Sequence, residues 1–146
     1  MATTIHIDPS IKAFIDKHGE ETFPYECCGF LYGSDANGRN ITVAKRVTNS
    51  KYGDQRRRFE ITPQDYLEAE RYAAMNDLDL LGIYHSHPNH PAIASVHDLA
   101  KAMPFFSYVI VSIMEGKAVD LKSWKLKDEE RVFEEETVLI SQLSTI

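Results

Sequence analysis

The sequence predicts an α/β protein in which a mixed β-sheet is flanked by helices. Short apolar runs rich in β-branched and aromatic residues alternate with segments whose apolar residues recur every three or four positions. The helical segments begin at residues typical of helix caps, and Asn-Gly and Glu-Gly pairs separate neighbouring strands. The predicted order along the chain is α, β, β, β, α, β, α, β, β.

The first half of the chain is predicted to form a helix and then a hairpin. Asp8 and Pro9 begin the helix, since a carboxylate cap followed by proline is typical of a helix N-terminus. Two β-rich runs, 28–32 and 41–48, flank the Asn-Gly pair at 37–38. Because Asn-Gly favours tight turns between antiparallel strands, these runs are predicted to pair.

The second half is predicted to alternate between strands and helices. A short strand at 59–61 precedes a helix that begins at Thr62 and ends near Asn76. A nearly continuous apolar run then predicts a buried strand that ends before Pro88, which cannot donate to a β-ladder. The remaining predicted elements are a helix that starts at Ser95 and strands at 106–114 and 117–126.

Chain length predicts one domain with an acidic end. A chain of 146 residues is long enough to bury a core, so we expect a single domain over 1–146. The C-terminal tail, 128–146, has six acidic residues and one arginine in its first nine positions. A solvated or mobile end is the default interpretation of such a tail, with a terminal strand or helix as the open alternative.

The charge distribution disfavours a nucleic-acid surface. The net charge is −6, and the basic residues cluster locally at Lys51 and at 56–58, within a polar stretch. A solvated loop is the favoured interpretation of this cluster, and a contact surface for an acidic partner is the alternative.

Neither export nor membrane insertion is predicted. The N-terminus lacks the basic start and apolar core of a secretion signal, and the apolar stretch 103–114 is too short to span a bilayer. We therefore expect a cytoplasmic protein without a membrane partner. In a reducing compartment, Cys27 and Cys28 are expected to be small buried residues, although a thiol ligand or redox role stays open.

Four side chains with metal or catalytic chemistry lie close together in the pattern His85-x-His87-x7-Ser95-x2-Asp98. Side chains alternate across a strand, so both histidines are expected on one face with Leu81 and Ile83. The Ser-x-x-Asp pattern predicts a helix N-terminus, from which Ser95 and Asp98 would project toward the end of the strand. Two histidines and one carboxylate match the three protein ligands of a catalytic zinc site.

This pattern resembles the JAMM motif of the MPN+ (Jab/MPN) zinc metalloproteases. There, as here, His-Ser-His-Pro is followed by a serine and, three positions later, an aspartate. Segments 24–33 and 58–63 also resemble stand-alone prokaryotic members, and the likeness spans roughly 5–127. The resemblance implies cytidine-deaminase-like α-β-α layers and one zinc ion per chain.

The resemblance also assigns roles to individual residues. It implies that zinc is bound by His85, His87 and Asp98. It implies that Glu26 is the general acid/base and that Ser95 stabilises the tetrahedral intermediate. Spacing alone does not select Glu26 from the other glutamates of the first half of the chain, so this assignment depends on the resemblance.

The function implied is hydrolysis of a peptide or isopeptide bond after the C-terminal tail of a ubiquitin-like or sulfur-carrier protein ending in Gly-Gly. One alternative is a non-catalytic MPN scaffold, although such scaffolds typically lack the metal residues. A second is a RadC-like DNA-associated member, which the acidic balance disfavours. A zinc nucleobase deaminase would need His-x-Glu and Pro-Cys-x-x-Cys motifs, and the sequence has neither. Oligomeric state and the identity of the carrier stay open.

Overall fold

Residues 3–142, which the computed structural model describes, form seven strands and three helices. The strands are β1 (Thr4–Ile7), β2 (Cys28–Ser34), β3 (Arg39–Val47), β4 (Asp79–Pro88), β5 (Ser107–Met114), β6 (Lys117–Lys127) and β7 (Val132–Ile140). The helices are α1 (Pro9–Thr22), α2 (Pro63–Met75) and α3 (Val96–Lys101).

The strands form a closed barrel in the order β1-β3-β2-β4-β5-β6-β7. β2 pairs antiparallel with β3 and β4, β4 pairs parallel with β5, and the parallel pairing of β1 with β7 closes the ring. The prediction of a mixed α/β fold is confirmed. The closed barrel differs from the flanked layers that were expected, because the two strands that close it were a four-residue run and a tail whose structure was left open.

Two buried clusters occupy the two faces of the sheet. α1 contributes Ile11 and Ile15 to the first cluster, where they pack with Tyr84 of β4. α2 contributes Ala69 and Ala73 to the second cluster, which contains Ile83 of the same strand. Because Ile83 and Tyr84 are adjacent, β4 is covered on both sides, as its continuous apolar run predicted.

The predicted helix starts are confirmed by their caps. The Asp8 carboxylate accepts the Ser10 N–H at 2.9 Å, and Thr62 begins α2 with a capping box completed by Asp65. Ser95 begins α3 in the same way. None of the helices formed by residues 3–142 is both long and apolar enough to cross a bilayer.

Two local predictions are wrong. Residues 59–61 form no strand, because their backbone groups bond elsewhere: the Phe59 carbonyl accepts Lys101 Nζ at 2.7 Å, and the Glu60 N–H donates to Asn49 Oδ1 at 3.1 Å. Leu81 does not share a face with Ile83, since the β2–β4 register shifts there and Leu81 packs in the α1 cluster.

The acidic tail contains β7, the strand alternative that was left open. Glu136 on this strand is buried, 3% exposed, and accepts hydrogen bonds from Ser123 Oγ at 2.8 Å and Thr3 Oγ1 at 2.5 Å. The last part of the predicted tail, 143–146, lies outside the described residues. That 1–146 forms a single domain stays a prediction.

Candidate metal centre and active site

The end of β4 supplies two imidazoles from one rigid element. His85 and His87 are buried, and β4 is hydrogen-bonded to β2 on one side and to β5 on the other. Side chains two positions apart point to the same face of a strand, so the two rings lie side by side, 4.9 Å between centroids. The prediction that both histidines lie on one face of the strand is confirmed.

The first turn of α3 supplies the carboxylate. Asp98 N–H donates to Ser95 Oγ at 3.1 Å, and Ser95 N–H donates to Asp98 Oδ2 at 2.8 Å. This reciprocal capping box fixes the aspartate side chain at the helix start and leaves its carboxylate facing β4.

Ligand atoms of three side chains lie close together. The two Nε2 atoms of His85 and His87 are 3.1 Å apart, His85 Nε2 lies 3.2 Å from Asp98 Oδ1, and His87 Nε2 lies 3.3 Å from Asp98 Oδ2. Ligands bound tetrahedrally at 2.0–2.1 Å are about 3.3 Å apart. The spacing therefore fits a metal ion, and these three residues form a group that could hold one.

The contacts of the two histidine rings determine which ring nitrogen is left to bind a metal. His87 Nδ1 lies 2.8 Å from the Pro91 carbonyl, to which it can donate only as N–H, so its Nε2 lone pair is left for a ligand. The His85 ring stacks on Phe59 with centroids 4.5 Å apart. Its buried Nδ1 has no hydrogen-bond partner within residues 3–142.

The electrostatics favour the protonation states that bind a metal. Burial lowers the pKa of the His85 ring, although the Asp98 carboxylate opposes this effect. Burial by itself would raise the pKa of Asp98, but the nearby His85 and His87 rings outweigh it and lower that pKa far below the usual range. Both directions favour the forms that coordinate a metal, a neutral imidazole and an ionised carboxylate.

Glu26 lies beside this cluster, two residues before the start of β2. It is 4% exposed and lines a cavity of about 460 Å³ together with His87 and Ser95. Burial, with a smaller contribution from the charge of Asp98, raises the pKa of its carboxyl to about 9. The predicted acid/base, the predicted hydroxyl and a predicted ligand thus share one cavity.

Comparison with known proteins places this arrangement in a family. A family model described as prokaryotic homologs of the JAB domain matches residues 10–127. The chain belongs to this family. The match covers all five predicted site residues and ends before β7, so the last strand of this JAB-domain protein lies beyond it.

Two curated relatives are both named desampylase. The chain is 28% identical to the one from Pyrococcus furiosus over 116 residues, 78% of this chain and 76% of that protein. It is 32% identical to the one from Haloferax volcanii over 90 residues, 61% of this chain, and the match spans 63% of that relative's length.

Two solved structures have a fold similar to that of this chain. A solution structure of a Desulfitobacterium hafniense protein superposes with a TM-score of 0.81 at 27% identity, covering 94% of this chain and 93% of that one. A Salinibacter ruber protein gives a TM-score of 0.73 at 36% identity, with 97% and 94% covered.

Sequence reasoning missed several residues that shape the JAB-domain site. Ser86, between the two histidines, accepts the Cys27 N–H at 2.9 Å and so ties the Glu26 segment to β4. The Asn49 side chain donates to the Glu26 carbonyl at 3.2 Å. The His-Ser-His run contained the signal for Ser86, whereas Asn49 is one polar residue in a loop and stood out by no pattern.

Two further histidines and the two cysteines lie around the site. His97 bonds Arg58 at 2.9 Å and is not part of the ligand group found among the described residues. His90 is exposed at the cavity that Glu26 lines. Cys27 and Cys28 are buried free thiols, and burial raises their pKa values to about 11 and about 12, which suits inert packing.

Proposed function

We propose that this JAB-domain protein is a zinc-dependent isopeptidase or peptidase that cleaves after the C-terminal tail of a ubiquitin-like or sulfur-carrier protein. The convergence of two Nε2 atoms and one carboxylate at 3.1–3.3 Å beside a buried glutamate is the main support. The name desampylase, given to two relatives, denotes removal of a ubiquitin-like modifier and supports the same reaction class.

In this proposal His85, His87 and Asp98 hold one zinc ion per chain. Zinc in such a site acts as a Lewis acid and lowers the pKa of water to about 7. The chain's contribution is to present two histidine nitrogens and a carboxylate from two rigid elements, the end of β4 and the start of α3.

Glu26 is proposed as the group that moves the proton. Its carboxylate accepts a proton from the attacking water and then donates it to the departing amine nitrogen. Burial of Glu26 favours its protonated form, because the pKa of the carboxyl is raised to about 9 in the ion-free protein. A nearby cation would lower this value toward the range useful for a general base.

Ser95 is proposed as the donor to the oxyanion. Its Oγ already accepts the Asp98 N–H at 3.1 Å, which fixes the position of the oxygen. A hydroxyl that accepts one bond still has its proton to donate. Directed into the cavity shared with Glu26, that proton can stabilise the charge that develops on the substrate carbonyl.

The test is cleavage of defined carriers. Carrier proteins ending in Gly-Gly are prepared with a short C-terminal extension or with a lysine-linked tail, and products are identified by mass spectrometry. We expect cleavage after Gly-Gly by the zinc-loaded protein and none by Glu26→Ala. No cleavage of either substrate by the loaded protein, or an unchanged rate in Glu26→Ala, would refute the proposal.

A further inference from the structure

The side chain of Asn49 bonds four backbone groups at once. Its Nδ2 donates to the carbonyls of Glu26 at 3.2 Å and Arg58 at 3.1 Å. Its Oδ1 accepts the N–H groups of Lys51 at 2.9 Å and Glu60 at 3.1 Å. A primary amide offers two donors and two acceptor sites, so the full capacity of this side chain is used.

These bonds organise a segment that has no regular structure of its own. Between β3 and α2, residues 48–62 form neither helix nor strand. Gln55 adds a second set of bonds, since its Nε2 donates to the carbonyls of Asn49 at 3.2 Å and Lys51 at 2.9 Å. The conformation of the segment therefore depends on two amide side chains.

The same segment holds the backbone of Glu26 from both sides. The Glu26 N–H donates to the Gln55 carbonyl at 2.7 Å, and the Glu26 carbonyl accepts from Asn49. Since Glu26 precedes β2, neither bond is part of a β-ladder. The position of its carboxyl thus depends on the order of residues 49–55.

The segment also contacts the metal cluster, the group formed by His85, His87 and Asp98. Phe59 stacks on the His85 ring, and Arg57 lines the cavity that contains Glu26, His87 and Ser95. Asn49 bonds the carbonyl of Arg58, the residue between Phe59 and Arg57. One side chain therefore links the proposed acid/base to the wall of the cavity.

We propose that Asn49 is a positioning residue that fixes Glu26 and residues 50–60 in the geometry needed for proton transfer. This inference rests on the proposed function, in which Glu26 moves the proton. Misplacement of a reacting group by about 1 Å can reduce a rate by about 100-fold, so a residue remote from the bond being cleaved can control turnover.

The decisive variant is Asn49→Asp. Aspartate has the same shape and keeps an acceptor for the Lys51 and Glu60 N–H groups, but it cannot donate to the Glu26 and Arg58 carbonyls. The matched control is Ser50→Ala, because the Ser50 hydroxyl bonds the Thr48 carbonyl at 3.4 Å. Gln55→Ala weakens the segment by an independent route.

Steady-state cleavage and zinc content are measured for each variant. For Asn49→Asp we expect kcat to fall about 10- to 100-fold with little change in KM and one zinc per chain retained. Gln55→Ala should give a smaller fall in kcat, and Ser50→Ala should stay within about twofold of the wild type. A normal kcat in Asn49→Asp, or a loss confined to KM, would overturn the inference.

Amide hydrogen exchange of the zinc-loaded proteins tests the same idea without turnover. In Asn49→Asp the Glu26 and Cys27 amides should exchange faster, while amides of β5 keep their protection. Unchanged exchange at Glu26, or protection lost equally in β5, would contradict a positioning role. If the wild type cleaves no carrier, the proposed function fails, but exchange still reports whether Asn49 holds Glu26.

Discussion

Two buried polar clusters in the same barrel differ in how their hydrogen bonds are satisfied. Arg39, 6% exposed, donates to both carboxylate oxygens of Asp35 at 3.1 and 3.2 Å. It also donates to the carbonyls of Leu81 and Phe105, and to Ser107 Oγ at 3.0 Å. The chain itself supplies partners for this charge, which is the pattern expected of a group that stabilises the fold.

The cluster at the end of β4 has the opposite character. The Nε2 atoms of His85 and His87 are 3.1 Å apart and lie 3.2 Å from Oδ1 and 3.3 Å from Oδ2 of Asp98, respectively. His85 Nδ1 lacks a hydrogen-bond partner among the described residues. The lone pairs of imidazole nitrogens and carboxylate oxygens repel one another at such distances unless a proton or a cation lies between them. The partners of Arg39 come from the chain itself, whereas His85, His87 and Asp98 form a group that could hold a metal ion.

The largest expected effect is that of the metal on stability. An ion that binds only the folded chain stabilises it by about 4 kcal/mol at a thousandfold excess over Kd. We expect zinc to raise the free energy of unfolding of the wild type, measured by urea unfolding, by this amount and to leave that of Asp98→Asn unchanged. Each protein is compared with and without zinc, so that any effect of Asp98→Asn on the metal-free fold cancels. Equal stabilisation of both proteins would show that zinc binds elsewhere.

Substitution of Arg39 should lower the stability of the fold and leave zinc binding unchanged. Arg39→Met leaves Asp35 and two carbonyls without their donor, so we expect a loss of about 3 kcal/mol in the free energy of unfolding. Zinc bound per folded chain should not change. The control is Arg46→Met: Arg46 is half-exposed and bonds Glu21 at 2.6 Å. That substitution should cost about 1 kcal/mol or less, and equal losses at the two positions would contradict the contrast.

A buried histidine outside the metal cluster sharpens the comparison. His18 Nδ1 lies 2.7 Å from the Tyr84 hydroxyl. Burial, helped by Arg46 and opposed by Glu21, lowers the pKa of His18 from 6.5 to about 4. The unfolded chain therefore binds this proton more readily than the folded chain, and stability falls as pH drops from about 6.5 toward 4.

The magnitude of this pH effect is about 2 kcal/mol lost by pH 5 relative to pH 8. It is measured by urea unfolding of the metal-free protein across that range, with His18→Gln as the reference. Subtracting the variant removes the titration of the metal cluster, which both proteins share. Parallel stability curves for the two proteins would mean that His18 is not held neutral by the fold.

Elements with strong local signals were predicted from the sequence. Asp8, Thr62 and Ser95 begin helices because their side chains cap backbone N–H groups within three residues, an interaction that is local in sequence. The proximity of the two histidines to Asp98 was also predicted from local signals, a strand end followed by a capped helix. These predictions needed no knowledge of distant contacts.

The features that were missed depend on long-range contacts. β1 pairs with β3 and β7, and a four-residue strand carries too little periodicity to be recognised alone. The run 59–61 has strand-like composition. In the fold, however, its backbone groups bond the side chains of Asn49 and Lys101 instead of a neighbouring strand. The link between Asn49 and Glu26 spans 23 positions and follows no motif spacing.

The smallest effect concerns the ring that covers the metal cluster. Phe59 stacks on His85, and an aromatic contact of this kind is worth about 0.5–1.5 kcal/mol. Phe59→Leu keeps an apolar side chain but loses the stack that orients His85, so zinc affinity should fall about 3- to 10-fold by competition with a chelator. Phe106→Leu is the matched control, since Phe106 contacts the Phe105 and Tyr108 rings instead. If both variants bind zinc as the wild type does, β4 and α3 alone orient the ligands, and the contrast between the two clusters owes nothing to residues 48–62.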